Sequence, residues 1–235
     1  MKAVIQAGGK GTRLRPYTLV LPKPLMPVGH MPVIEILLKW LRRNGVREVY
    51  VTVGYLGHLI KALCGDGNQW DMAIHYSDEP EPLGTIGPLK LLQDRLTETF
   101  LVLNGDLITD LDLRALTEFH RSRGGLVTVA TTKKSIQIDL GVLESTNARL
   151  CAFHEKPVKS YFVSMGIYCM EPKILAHVPT GVPFGFDNLM HHMLATDLPV
   201  YAYEHNGSWM DIGREEDFLR AQEFIRDNQS MLIGN

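Results

Sequence analysis

The chain opens with a strand pattern that is cut short. Ala3-Val4-Ile5 is an apolar run that soon meets Gly8-Gly9-Lys10-Gly11; cations then follow at Arg13, Arg15 and Lys23, among Pro16, Pro22, Pro24 and Pro27. From residue 33 to 43 apolar side chains return at Ile34, Leu37, Leu38 and Leu41, the spacing of one helix face, and Gly45 supplies a stop. Strand, loop, helix is the opening unit. In sheets built from such units, ligands bind beyond the carboxyl ends of the strands, where this glycine loop must lie.

The alternation continues. Strands are expected over 49–53, 73–76, 100–103 and 127–132, and helices over 57–63, 88–96 and 113–122. This predicts an α/β fold of the Rossmann-like, doubly wound kind, with a mixed, mostly parallel sheet and helices on both faces. After residue 140 the pattern changes to short strands over 141–144, 150–155 and 162–168, expected to form a small antiparallel insertion. Helices over 186–196 and 214–227 then flank a strand over 200–203. With 235 residues, 45% of them hydrophobic, the chain can bury a large core, and one domain over 1–235 is expected.

Composition excludes several classes of protein. A net charge of −2 provides no basic field for nucleic acid, so phosphate binding must be local. Cys64, Cys151 and Cys169 are odd in number and far apart, which disfavours a disulfide framework or a zinc site. No run approaches the roughly 18 apolar residues of a membrane span. The expectation is a cytoplasmic protein that binds neither membrane nor nucleic acid.

Gly8, Gly9 and Gly11 let the backbone approach a ligand closely, so that successive N–H groups can point at phosphate oxygens. Arg13 offers a bidentate fork and Lys23 a point charge. Neither familiar phosphate loop fits: GGKGTRLR lacks the Lys-Ser/Thr pair of a P-loop, and Leu14 stands where a dinucleotide fingerprint needs its third glycine. Asp106 follows the strand over 100–103 and should face the same crevice as the glycine loop.

Residues 8 to 28, GGKGTRLRPYTLVLPKPLMPV, closely resemble the signature of the sugar-1-phosphate nucleotidylyltransferases, or sugar-nucleotide pyrophosphorylases. The resemblance continues through EPLGTIGPL (81–89), NGDLITD (104–110), DLGVLE (139–144), FHEKP (153–157), SMGIYCM (164–170) and WMDIG (209–213). It implies a transfer of a nucleotidyl group from an NTP to a sugar 1-phosphate with release of pyrophosphate. Gly8, Gly9, Gly11, Thr12, Arg13, Gly84 and Thr85 would bind the nucleotide, and Arg13, Lys23 and Asp106 would be catalytic. Asp106 and Asp211 would hold Mg²⁺, and Gly141, Glu155 and Lys156 would take the sugar phosphate. Without the resemblance, Asp106 and Asp211 read first as caps of a turn and a helix, and only second as metal ligands.

Ile86 and Ser164 depart from the family pattern and bear on the sugar rather than the reaction. The EPLGT segment leans toward GTP and mannose 1-phosphate; the alternatives are uridylyl, thymidylyl or cytidylyl transfer to glucose or heptose 1-phosphate, or a non-catalytic regulatory subunit that binds sugar nucleotides. A homo-oligomer is left open. There is no hexapeptide repeat, so no C-terminal β-helix domain is expected. His191 and His192 diverge by about 100° on a helix and cannot share a metal. Trp40, Leu41, Phe218 and Phe224 read as core, and Lys133-Lys134 as a solvated turn.

Overall fold

The apolar run that opens the chain becomes an interior strand of a seven-stranded sheet. The structure, a computed structural model, describes residues 1–79 and 81–233, with side chains to residue 226. From β1 (Lys2–Ala7) the chain passes through three 3₁₀ turns and a small hairpin, β2 (Pro27–Val28) with β3 (Met31–Pro32), into α1 (Val33–Arg43). Next come β4 (Glu48–Val53), α2 (Gly57–Cys64), β5 (Ala73–Asp78), β6 (Phe100–Asn104), β7 (Leu107–Thr109), α3 (Leu113–Arg123) and β8 (Val127–Gln137). The remainder comprises β9 (Val142–Thr146), β10 (Arg149–His154), β11 (Val158–Met170), α4 (Phe186–Ala195), β12 (Val200–Glu204), β13 (Trp209–Asp211) and α5 (Glu215–Ile233).

The order across the sheet is β12-β8-β11-β6-β1-β4-β5. Only β11 runs against its neighbours in this sheet; the other pairings are parallel. This is the mixed, mostly parallel sheet expected from the alternation. Because side chains alternate along a strand, Ala3, Ile5, Leu101 and Leu103 face one side, where they pack with Ile34, Leu37, Leu38 and Leu41 of α1, Ile60 of α2 and Leu116 of α3. Val4, Phe100 and Val102 face the other, against Leu89, Leu92, Ile174 and, from α4, Leu189 and Met193. A third group, including Ile36, Ile108, Ile212 and Ile225, seats α5 against α1 and the β7–β13 pair. Phe218 and Phe224 are partly buried against it, as their spacing suggested.

Two local expectations are corrected. Residues 88–96 do not form an α-helix; a 3₁₀ helix spans Gly87–Leu92, and Leu89, Leu92 and Leu96 are still buried. Apolar residues three apart suit a 3₁₀ turn as well as a helix, and Pro88 in the first turn is compatible with either. Residues 162–168 are not part of a separate insertion either. They belong to β11, a 13-residue strand that enters the central sheet between β8 and β6. Beyond the reach of β6 and β12 it pairs with the far half of β8, from Val158 opposite Gln137 to Phe162 opposite Lys133. That ribbon is largely exposed, so no one-sided burial pattern marks it in the sequence. Of the three segments expected in the insertion, the first two correspond to β9 and β10, which form an antiparallel pair of their own.

Candidate active site

Parallel pairing places Gln6 of β1 opposite Asn104 of β6, so the loops leaving both carboxyl ends emerge side by side. The Gly105 N–H donates to the Gln6 carbonyl at 2.9 Å and ties the second loop to the first strand. A cavity of about 430 Å³ opens at this edge. Its walls contain Gly8, Gly9, Gly11, Thr12, Arg13, Lys23, Gly84, Thr85 and Asp106, which are all the residues assigned from the sequence to nucleotide binding or catalysis.

The long first loop is shaped by local contacts. Gly11 has φ +59°, a left-handed conformation that disfavours a side chain, and its carbonyl accepts from Leu14 N–H at 2.9 Å and from Thr18 Oγ1 at 2.8 Å. Burial of Leu14 pins the Thr12–Leu14 turn and leaves Arg13 exposed at the cavity. The third 3₁₀ turn, Lys23–Leu25, buries Pro24 and Leu25 and brings Lys23 to the cavity at the strand ends.

Lys23 Nζ donates to Asp106 Oδ2, while Asp106 Oδ1 is buried without a partner in the chain. Asp211 reaches the same place by another route. β13 pairs antiparallel with β7, Asp211 opposite Leu107, and Ile212 N–H donates to the Asp106 carbonyl at 2.9 Å. Its Oδ1 lies 3.6 Å from Lys23 Nζ. Burial pushes the Asp211 carboxyl above the usual carboxylate range and the charge of Asp106 adds to this, whereas Lys23 and Arg13 oppose it. The capping alternative fails for Asp211, which lies in β13 before α5 begins.

This donor set suits a hard divalent cation. Among the described residues no group of three or more His, Cys, Asp or Glu is arranged around one metal position. Two carboxylates, one with an orphan oxygen, nevertheless fit Mg²⁺, which takes the rest of its shell from waters and phosphate oxygens.

The sugar-phosphate set is placed differently. Glu155 lies beside Gly141, with Oε2 3.5 Å from where a Cβ on Gly141 would stand. Lys156 follows in a left-handed turn at φ +43°. All three are exposed near the β9–β10 pair, and none lines the cavity. Ile86, one of the two departures from the family pattern, is fully buried in the core and not on the cavity wall. Lys133 and Lys134 belong to β8, not to a turn; with Trp209, Asp211 and Arg220 they line a second cavity of about 510 Å³. His192 pairs with His177 at 3.0 Å rather than with His191.

Glu79 escaped the sequence analysis. It directly follows β5, half-buried in the cavity wall, where Oε2 accepts from Leu83 N–H at 3.2 Å. Oε1 stands so close to Gly8 that a Cβ on that glycine would collide with it. Burial raises the Glu79 carboxyl above its ordinary range, and the Leu83 bond opposes the shift. The rule that singled out Asp106, a polar residue just past a strand's carboxyl end, would have found it.

The doubly wound, mostly parallel sheet, with the glycine loop and Asp106 beyond the carboxyl ends of its strands, is the nucleotide-diphospho-sugar transferase fold. The sequence profile of the Nucleotidyl transferase family matches residues 2–228, and the chain belongs to that family. It is 34% identical over 243 residues to a UTP–glucose-1-phosphate uridylyltransferase of Synechocystis and 36% identical over 228 residues to a mannose-1-phosphate guanyltransferase of Aspergillus oryzae. These alignments cover 94% and 93% of this chain but 62% of each relative. Among solved structures, a Bacillus anthracis protein provisionally described as a glucose-1-phosphate thymidylyltransferase superposes with a TM-score of 0.77. It is 25% identical, and the match covers 97% of this chain and 96% of that one.

The raised Asp211 carboxyl has a measurable consequence. The folded chain holds this proton more tightly than the unfolded chain does, so its contribution to stability is fully present below the ordinary carboxyl pKa and is lost as pH rises through the raised one. With divalent cations chelated, Asp211→Asn is expected to melt about 1–3 °C above the parent chain at pH 7, the gap closing toward pH of about 4. Scanning fluorimetry across pH checks this; a lower melting temperature at pH 7 would show that Lys23 and Arg13 outweigh burial.

Proposed function

We propose that this chain is a Mg²⁺-dependent sugar-1-phosphate nucleotidylyltransferase. A phosphate oxygen of the sugar 1-phosphate attacks the α-phosphorus of an NTP in line, the bond to the β-phosphate breaks, and pyrophosphate leaves. The observation that carries this proposal is the convergence of Lys23, Asp106 and Asp211 at the mouth of the glycine loop. Charge neutralisation and alignment are the main demands of such a transfer. A sugar phosphate is already largely dianionic at neutral pH, so no proton shuttle is needed, and no histidine lines the cavity among the described residues.

The backbone of Gly8, Gly9, Gly11 and Thr12 cradles the phosphates, Gly84 and Thr85 close the opposite wall, and Arg13 meets the departing pyrophosphate. Lys23 neutralises the reacting phosphates, and Asp106 with Asp211 holds the cation. When bound, Mg²⁺ would offset charge developing on the α-phosphate oxygens. The acceptor arrives from the β9–β10 side, where Glu155 can accept from two sugar hydroxyls while Lys156 and the backbone at Gly141 meet the phosphate. A single catalytic domain over 1–235 and a cytoplasmic location, close to the nucleotide supply, go with this assignment. Among the described residues no helix is long and apolar enough to cross a membrane.

Glu79 favours guanine as the base. A carboxylate only accepts, and guanine presents adjacent N1–H and N2–H donors to it. Uracil and thymine instead offer one N–H flanked by two carbonyls, which a buried carboxylate repels. GTP is therefore the preferred nucleotide, and mannose 1-phosphate, the sugar in the names of the guanyltransferase relatives, goes with it.

Pyrophosphate release with GTP and mannose 1-phosphate tests the reaction. Asp106→Asn is expected to lower kcat about 10²–10³-fold while the melting temperature is kept, because Asn preserves shape and capping ability but not charge. Near-normal turnover would remove Asp106 from the reaction centre. For the base, Glu79→Gln supplies one donor and one acceptor and should move the kcat/KM ratio of GTP over UTP by roughly tenfold or more toward UTP. An unchanged ratio would show that Glu79 does not face the base.

A further inference from the structure

Lys23 is well placed to neutralise a phosphate, yet it is committed elsewhere in the unliganded chain. Its ammonium contacts Asp106 Oδ2 and lies 3.6 Å from Asp211 Oδ1, and the side chain is 12% exposed. Two carboxylates thus share one ammonium, with the Asp106 side chain 17% exposed and that of Asp211 42% exposed. A divalent cation would need these same oxygens. Asp106 Oδ1 is buried without a partner and is the one acceptor of that residue still open; Oδ2 is taken by Lys23.

From this we infer that Lys23 is a placeholder for the metal. It balances Asp106 and Asp211 until a divalent cation displaces it, and it is then handed to the nucleotide phosphates. The inference rests on Asp106 and Asp211 being the cation site. Geometry makes the exchange inexpensive. The Lys23 backbone is fixed by its 3₁₀ turn, with Pro24 and Leu25 buried, while Nζ rides on a flexible four-carbon stem. The same side chain lines the nucleotide cavity, so its alternative partner is within its own reach. An ammonium is a point charge without a preferred direction and can serve either set of oxygens.

Two consequences follow. A cation binding the nucleotide-free chain must compete with Lys23 and binds weakly. Nucleotide and cation then strengthen each other by the same factor, since each relieves the charge the other leaves uncompensated.

The test is Mn²⁺ binding to the nucleotide-free protein, read by electron paramagnetic resonance, for the parent chain, Asp106→Asn and Lys23→Met. Asp106→Asn should weaken binding, and Lys23→Met should tighten it at least about tenfold because the competing charge is gone. If Asp106→Asn leaves binding unchanged, the cation site itself is misassigned and the exchange falls with it. If Asp106→Asn weakens binding but Lys23→Met binds no tighter than the parent, the site stands and the exchange is overturned. A readout on the parent chain guards against misfolding of the lysine variant. Acetylation of Lys23, followed by mass spectrometry, should rise when Mn²⁺ is added alone and fall again with a non-hydrolysable GTP analogue. Reactivity that ignores Mn²⁺ would equally overturn the exchange.

Discussion

Parallel pairing of β1 with β6 is the constraint from which the cleft is built. With Gln6 opposite Asn104, the glycine loop and Asp106 must leave the sheet together. The Gly105–Gln6 bond leaves the second loop little freedom to move away. The apolar alternation that makes these strands interior, Ile5 and Leu103 to one face and Val4 and Val102 to the other, therefore also delivers the glycine loop and the carboxylate to one point. Lys23 is added by a proline-stiffened turn and Asp211 by the β7–β13 pairing.

What converges there is electrostatically expensive. Asp106 and Asp211 face each other in a space where burial alone raises the Asp211 carboxyl. Carboxylates left without a cation in such a place are strongly unfavourable. Lys23 makes the arrangement tolerable. The structure thus carries a charge pattern whose natural complement is a cation with phosphates, and this explains why Asp106 Oδ1 is left unsatisfied at the carboxyl edge of the sheet.

Some of this was readable from residues alone. The glycine loop and Asp106 each follow an apolar strand, and the rule that ligands gather at carboxyl ends applies to them without any tertiary knowledge. Glu79 obeyed the same rule after β5 and was overlooked because no glycine or motif drew attention to it. Asp211 could not be found that way. Its place depends on β13 pairing with a strand about a hundred residues earlier, and only the resemblance of WMDIG pointed to it. The β8–β11 ribbon was obscure for a different reason: a two-stranded ribbon with little burial leaves no periodic signal, so a long strand entering the core looked like a short one outside it. Gly141, Glu155 and Lys156 came from the resemblance, and although they lie near one another, they stand off from the cavity wall.

A crystal structure of the chain with a non-hydrolysable GTP analogue, mannose 1-phosphate and Mg²⁺ addresses the central claim most directly. The account predicts the triphosphate on the glycine loop and the base against Glu79. The cation should sit on Asp106 and Asp211, and Lys23 Nζ should be on phosphate rather than on Asp106. A nucleotide seated elsewhere, or a cation bound away from both carboxylates with Lys23 still paired to Asp106, would contradict it.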